Sequence, residues 1–285
     1  TISKASSRGY NLIQGNNLTV TQVHPKTEVV RESHNVGEAM EDLRRLAEER
    51  LGKTDLDSGL DYGTIAISKY RKSDGTNSWL VTIPGTDGKH DSPFGWPQNV
   101  ELMSSDSKQR MEADSARMVQ EAMKQAGIKS NEPVALIGHS QGGIVAATIA
   151  SDLKDDYDIE HVVTAGAPVA NHPIPEKTWV TSVEMDDELV AALDGAANPS
   201  SDHWLTVRGT ASKSSSNQES TFAGTPVTDA PDNKEITHWL KYHQAAYQNA
   251  TDMGSTAVNT HERHFDEIID GDLQEVMYFE GRMSK

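Results

Sequence analysis

Pro133-Val134-Ala135-Leu136-Ile137-Gly138-His139-Ser140-Gln141-Gly142-Gly143-Ile144 decides the fold. A short continuous apolar run ends in a glycine-rich turn, and an apolar stretch of helical character, Ile144–Leu153, follows it. The turn fits G-x-S-x-G. As a bare pattern that is weak, but the strand before it and the helix after it supply the context its mechanism requires. A serine on so sharp a strand-to-helix turn needs glycine two positions before and two after, because side chains there would collide across the turn. The turn lifts the hydroxyl of Ser140 above the sheet, and the following helix aims its N-terminal N–H groups at charge developing beside it. The spacing predicts that Gly143 lets this helix pack tightly on a neighbouring strand and that His139 packs beside the turn. The competing reading is a glycine-rich turn with an ordinary exposed serine.

Working outward, His161–Thr164, Trp179–Val183 and His203–Val207 read as further short apolar strands. Upstream, Tyr62–Tyr70 alternates apolar and polar residues. Ser73-Asp74-Gly75-Thr76 is turn chemistry, and Trp79–Ile83 is a second strand of the pair. Val36, Met40, Leu43, Ala47 and Leu51 recur at helical spacing before Gly52. A long helix is predicted over Asp106–Ala126, ended by Gly127. Two more helices are predicted at about Glu235–Asp252 and Thr256–Ile269. Weak strand signals lie near Leu18–Val20 and Glu28–Val30. Strands alternating with helices imply an α/β fold, with a mostly parallel central sheet covered by helices on both faces. The whole chain, 1–285, reads as one domain, with residues 1–60 as an N-terminal extension carrying one helix. Residues 210–233, rich in Ser, Thr, Asp and Pro, read as a flexible loop.

Composition narrows the function. The formal net charge of −17 argues against nucleic acid and anionic membrane surfaces as partners. The absence of cysteine excludes disulfides, thiolate metal sites and a cysteine nucleophile. No apolar run approaches the ~20 residues of a membrane span, so stable membrane insertion is not expected. No signal peptide is visible. The chain opens at Thr1 rather than Met, the expectation for a processed product, so a secreted origin stays open and localisation is not fixed.

A nucleophilic serine requires a second oxyanion donor besides the N–H of Gln141, a histidine base and a carboxylate. Trp79–Thr86 offers a strand followed by Pro84-Gly85-Thr86. Gly85 permits close approach there, and Thr86 is the candidate donor. In the order nucleophile, acid, base, the acid should follow Trp179–Val183, where Asp186, Asp187 and Glu188 stand together. Asp187 is preferred as the shorter carboxylate at the tip of the turn, with Asp186 and Glu188 as alternates. Of the downstream histidines, His203 begins a strand. His261 and His264, in His261-Glu262-Arg263-His264, could suggest a metal, but a solvated helical face is the better reading and no metal or cofactor is expected. His243 and His238 remain as the base, with a slight preference for His243.

Val81–Thr86, the Gly-His-Ser-Gln-Gly-Gly turn and Val163-Thr164-Ala165-Gly166-Ala167-Pro168 together resemble lipases and esterases of the α/β-hydrolase superfamily. The likeness is greatest to class 3 lipases and GPI-inositol-deacylase-like esterases, over about residues 62–250. The resemblance implies a Ser-Asp-His triad, a carboxylic-ester substrate, small-molecule or lipid, and no cofactor. By position it implies Ser140 as nucleophile, Thr86 and Gln141 as oxyanion donors, and an acid within Asp186–Glu188. Lipases of this type often carry Asp-x-Val-Pro at the acid, where Glu188-Leu189-Val190-Ala191 stands here. The same triad would serve an acyltransferase or a thioesterase, and a non-catalytic binding module on this fold is the reading of a different class. Pro93, Phe94, Trp96 and Pro97 are candidates to line an acyl pocket or to anchor their loop. The polarity of 210–230 suits an esterase better than a lipase with a lipid-facing lid.

Overall fold

A computed structural model describes residues 17–95, 111, 113–185, 198–199, 201–213, 219–222, 225–228 and 240–285. Within 211–239 only the backbone of three short strands is described. The strands are β1 Asn17–Val23, β2 Thr64–Arg71, β3 Asn77–Ile83, β4 Pro133–His139, β5 Asp158–Ala165, β6 Trp179–Met185, β7 Trp204–Gly209, β8 Ala211–Lys213, β9 Glu219–Phe222, β10 Thr225–Thr228 and β11 Asp272–Ser284. The helices are α1 Val36–Glu49, α2 Asp114–Ala126, α3 Gln141–Asp152, α4 Leu240–Asp252 and α5 Thr256–Ile268.

Eight strands form one sheet in the order β1-β11-β2-β3-β4-β5-β6-β7. β3 to β7 run parallel, and β1, β11, β2 and β3 pair antiparallel. The fold is the expected mostly parallel α/β sandwich. β2 and β3 form a hairpin whose turn is closed by Lys72 N–H to the Thr76 carbonyl at 2.8 Å. The central strands β4 to β6 are largely buried on both sides because helices cover both faces. Val81, Leu136 and Val162 join α2 and α3 in one core, while Leu80, Ile137 and Val163 join α1, α4 and α5 in the other.

Local chemistry sets the helix limits. Asn35 caps α1 by accepting the Glu38 N–H at 2.8 Å, and Gly127 ends α2 in the left-handed conformation at φ 87°. The buried stripe of α1 runs Val36, Ala39, Met40, Leu43 and Leu46, so Leu46 takes the place the spacing had given Ala47. Glu28–Val30 is not a strand. Val29 and Val30 are buried and give their N–H groups to the hydroxyl of Tyr278, at 3.3 and 2.9 Å. Residues 272–284, for which the sequence predicts no element, form the longest strand described, inserted between β1 and β2. Within 210–233, read from composition as a loop, β8, β9 and β10 form a small antiparallel sheet. Among the described residues no helix is long and apolar enough to cross a membrane.

Candidate active site

The parallel strands β3 to β6 end on one edge of the sheet, and the site is built there. β4 delivers Ser140 at φ 55°, ψ −122°, a backbone conformation that costs an L-residue on the order of 1–3 kcal/mol. Three hydrogen bonds hold the strain. Ser140 N–H donates to the Ala165 carbonyl of β5 at 2.9 Å, and the Ser140 carbonyl accepts from Gly143 and Ile144 at 2.9 and 3.2 Å.

The glycines are required by contact. A Cβ on Gly138 would lie 2.2 Å from the Gly142 carbonyl oxygen, across the turn. One on Gly142 would lie 2.0 Å from the Ile83 oxygen and 2.5 Å from the Pro84 oxygen. The second constraint therefore comes from β3 and its loop rather than from the turn itself. At Gly143 a Cβ would meet the Ala167 Cβ at 2.7 Å, so Gly166-Ala167-Pro168 is the surface on which α3 seats itself.

The loop after β3 lies against this turn. Ile83 is level with Gly138 in the sheet, and a Cβ on Gly85 would be 2.9 Å from the His139 oxygen and 3.1 Å from Ser140 Cβ. Thr86 follows, half-buried. Gln141 opens α3, is fully buried, and ties the far end of the loop by donating Nε2 to the Gly95 carbonyl at 2.7 Å. Its backbone N–H belongs to the first turn of α3, where intrahelical partners are missing. A strained serine, a helix N-terminus and a clamped loop thus converge on one point.

Residues 99–221 match the family model described as the PGAP1-like alpha/beta domain. The fold is that of the lipase- and esterase-like α/β-hydrolases. No curated protein sequence matches the chain.

In this α/β-hydrolase fold, β6 is the next-but-one strand from β4, and it ends at Met185 on the edge that carries Ser140. Asp186, Asp187 and Glu188 come next and lie outside the described residues, as does His238. Glu184, just before them, is turned toward β7. Its Oε1 accepts from Asn198 Nδ2 at 2.9 Å, and its Oε2 stands 3.6 Å from Arg208 Nη2. His243 is described. It is fully buried on α4 and meets the ring of His139 edge-on, with centroids 5.8 Å apart. α4 therefore brings one of the two candidate bases to the residue that precedes Ser140.

The remaining histidines stand elsewhere. His161, His203, His261 and His264 gather around Trp179 at the amino ends of β5 to β7. His161 is level with Ala135, five residues short of Ser140 and roughly 16 Å away along a strand. Trp179 is stacked between His203 and His264, at 4.5 and 4.3 Å. His161 Nδ1 is 2.9 Å from His264 Nδ1, and the Thr181 hydroxyl bridges His161 Nε2 and His261 Nδ1 at 2.9 and 3.1 Å. The solvated face expected for His261 and His264 is thus corrected. His261 is buried and His264 is partly buried, because α5 lies on the strands here rather than facing solvent. Burial, then neighbouring histidines, holds His161 well below its ordinary pKa and His264 down at about 4.

Phe94 is 1 % exposed and belongs to the core shared with α2 and α3, so it anchors its loop instead of lining a pocket. Trp96 and Pro97 lie outside the described residues. The sequence reading missed Arg50 and Asp87. Asp87 is buried within the loop and gathers the Gly63 N–H at 2.9 Å, the Ser92 hydroxyl at 2.7 Å and Arg50 Nη1 at 3.3 Å. The signal was an acid two residues after the Pro-Gly of the loop that follows β3, where a carboxylate can gather backbone N–H groups, the Lys89 N–H among them at 3.0 Å.

Proposed function

We propose that the protein is a serine hydrolase of carboxylic esters, with Ser140 as nucleophile. The observation that carries the reading is the strained backbone of Ser140, φ 55° and ψ −122°, at the mouth of α3 and under the loop of Gly85 and Thr86. Such strain is kept where it serves chemistry.

In this reading Ser140 Oγ attacks the ester carbonyl carbon while a histidine takes its proton. The carbonyl oxygen becomes an oxyanion, held by the N–H groups of Thr86 and Gln141. Collapse expels the alcohol, which receives the proton from the histidine. Water, activated by the same histidine, then attacks the acyl-enzyme, and the carboxylic acid and Ser140 Oγ–H are restored. The base is His243 or His238, five residues apart. His243 has its contact with His139 in its favour. The acid is one of Asp186, Asp187 and Glu188, with Asp187 preferred, and it fixes the tautomer of the base. The reaction uses no cofactor.

The test is labelling with a fluorophosphonate probe, followed by intact mass. Rapid single labelling of the parent, absent in Ser140→Ala, is expected. Whichever of His243→Ala and His238→Ala labels slowly while folded names the base. A folded parent that does not label overturns the hydrolase reading. Transfer of the acyl group to added alcohols in preference to water would make it an acyltransferase instead.

A further inference from the structure

Arg50 directly follows α1, and its side chain is 3 % exposed. Besides its pair with Asp87, its Nη2 donates to the carbonyl of Gly85 at 2.8 Å, while its Nε has no partner among the described residues. Burial pushes the guanidinium down to about 10 against the pull of Asp87, so it is charged at neutral pH. A buried ion pair seldom repays its desolvation in stability, and an incompletely bonded one less so. The atom it holds gives a better reason for it.

The peptide joining Gly85 to Thr86 is planar and trans, since no cis bond occurs among the described residues. In such a unit C=O and N–H point in opposite directions. With the Gly85 oxygen drawn back toward Arg50, the Thr86 N–H is directed the other way, while the Gly85 backbone lies against His139 and Ser140. A cation on the carbonyl also polarises the amide and strengthens its N–H as a donor.

We propose that Arg50, oriented by Asp87, is a positioning residue for the oxyanion hole, aiming the Thr86 N–H through its hold on the Gly85 carbonyl. This rests on the ester-hydrolase reading above. Arg50 touches no reacting atom and acts only through the peptide in front of it.

The experiment compares the parent with Arg50→Lys and Asp87→Asn. It measures kcat and KM on a p-nitrophenyl ester and on its thiono analogue, inhibition by phenylboronic acid, and Tm. Lysine keeps a charge beside Asp87 but lacks the fork that reaches both partners. Arg50→Lys should lower kcat about 10- to 100-fold with KM within about twofold, weaken phenylboronic acid by a similar factor, and narrow the preference for the oxo ester. Asp87→Asn should move the same three readouts in the same direction, about three- to tenfold, and carries the test if Arg50→Lys does not fold. A purely structural role would lower Tm and leave these readouts of the folded enzyme alone. If the parent neither turns over ester nor labels, the hydrolase reading fails. If the parent is active and a folded variant keeps all three readouts within about twofold, only the role of Arg50 is overturned.

Discussion

At the carboxyl ends of β3 to β6 the chain gathers Ser140, His139 and His243. At the amino ends of β5 to β7 it gathers His161, His203, His261 and His264 around Trp179. Among the described residues histidine is the more abundant at the second end, and its rings there are closer together. Yet among the described residues that end has no strained backbone and no glycine-lined approach, and its hydrogen bonds close on one another through Thr181. The first end has fewer described rings but a serine forced into a left-handed conformation and a helix N-terminus behind it. The contrast teaches that a cluster of titratable side chains is not by itself a site. What marks a site is backbone that the rest of the fold must hold against its own preference.

The comparison breaks most visibly at the serine. Ser140→Ala should lower ester turnover about 10⁴-fold or more, whereas His264→Ala should leave the turnover of folded protein within a few-fold. If His264→Ala abolished turnover in a folded protein, the division between the two ends would be wrong. Gly142→Ala should come next. Its Cβ would sit 2.0 Å from the Ile83 oxygen, and a loss of about 2–3 kcal/mol or more is expected in urea denaturation, with labelling slowed alongside. Unchanged stability and labelling would show that the turn has slack.

The second end should announce itself through pH instead of rate. His161, His261 and His264 have folded pKa values below their ordinary one, through burial first and then through neighbouring histidines, His203 among them, while at His261 the hydrogen bond to the Asp202 carbonyl opposes the shift. The unfolded chain then takes up protons before the folded one, so their contribution is complete above pH ~6.5 and is lost as pH falls toward 4. The urea midpoint should drop across that window, and His161→Phe should flatten the drop. A midpoint that is level from pH 6.5 to 4 would count against a neutral, packed cluster. Smallest is Thr181→Val, which removes the bridging hydroxyl and should cost about 1 kcal/mol with no effect on labelling by the fluorophosphonate probe.

What the sequence disclosed and what it concealed follow the same division. The serine turn was legible because its geometry dictates residue types at fixed spacing, and Gly138, Gly142 and Gly143 can each be nothing larger. The strand β4 was legible because burial on both faces leaves Val134–Ile137 continuously apolar, and β5 and β6 through the shorter apolar stretches at Val162-Val163 and Trp179-Val180. β11 was not. Its neighbours in the sheet are far away in sequence, and its exposed half carries Gln274 and Glu275 where a buried strand would be apolar. Arg50 was concealed for a related reason: a charge at a helix end normally faces water, and only the fold reveals that Asp87 and Gly85 are waiting for it. The histidines of α5 looked solvated because Trp179 and Thr181, which bury them, come from another stretch of chain.

β11 separates β1 from β2, and the Tyr278 hydroxyl it carries ties down a backbone N–H 249 positions earlier. During synthesis, then, the hairpin of β2 and β3 must wait with one hydrogen-bonding edge open until residues beyond 272 have left the ribosome. Closing so long a loop is slow, and an open edge invites foreign strands. A chain that stalls before that point would carry a complete serine turn and an incomplete sheet. Its yield in cells would then be governed by chaperones and by the speed of translation, not by the stability of the finished molecule.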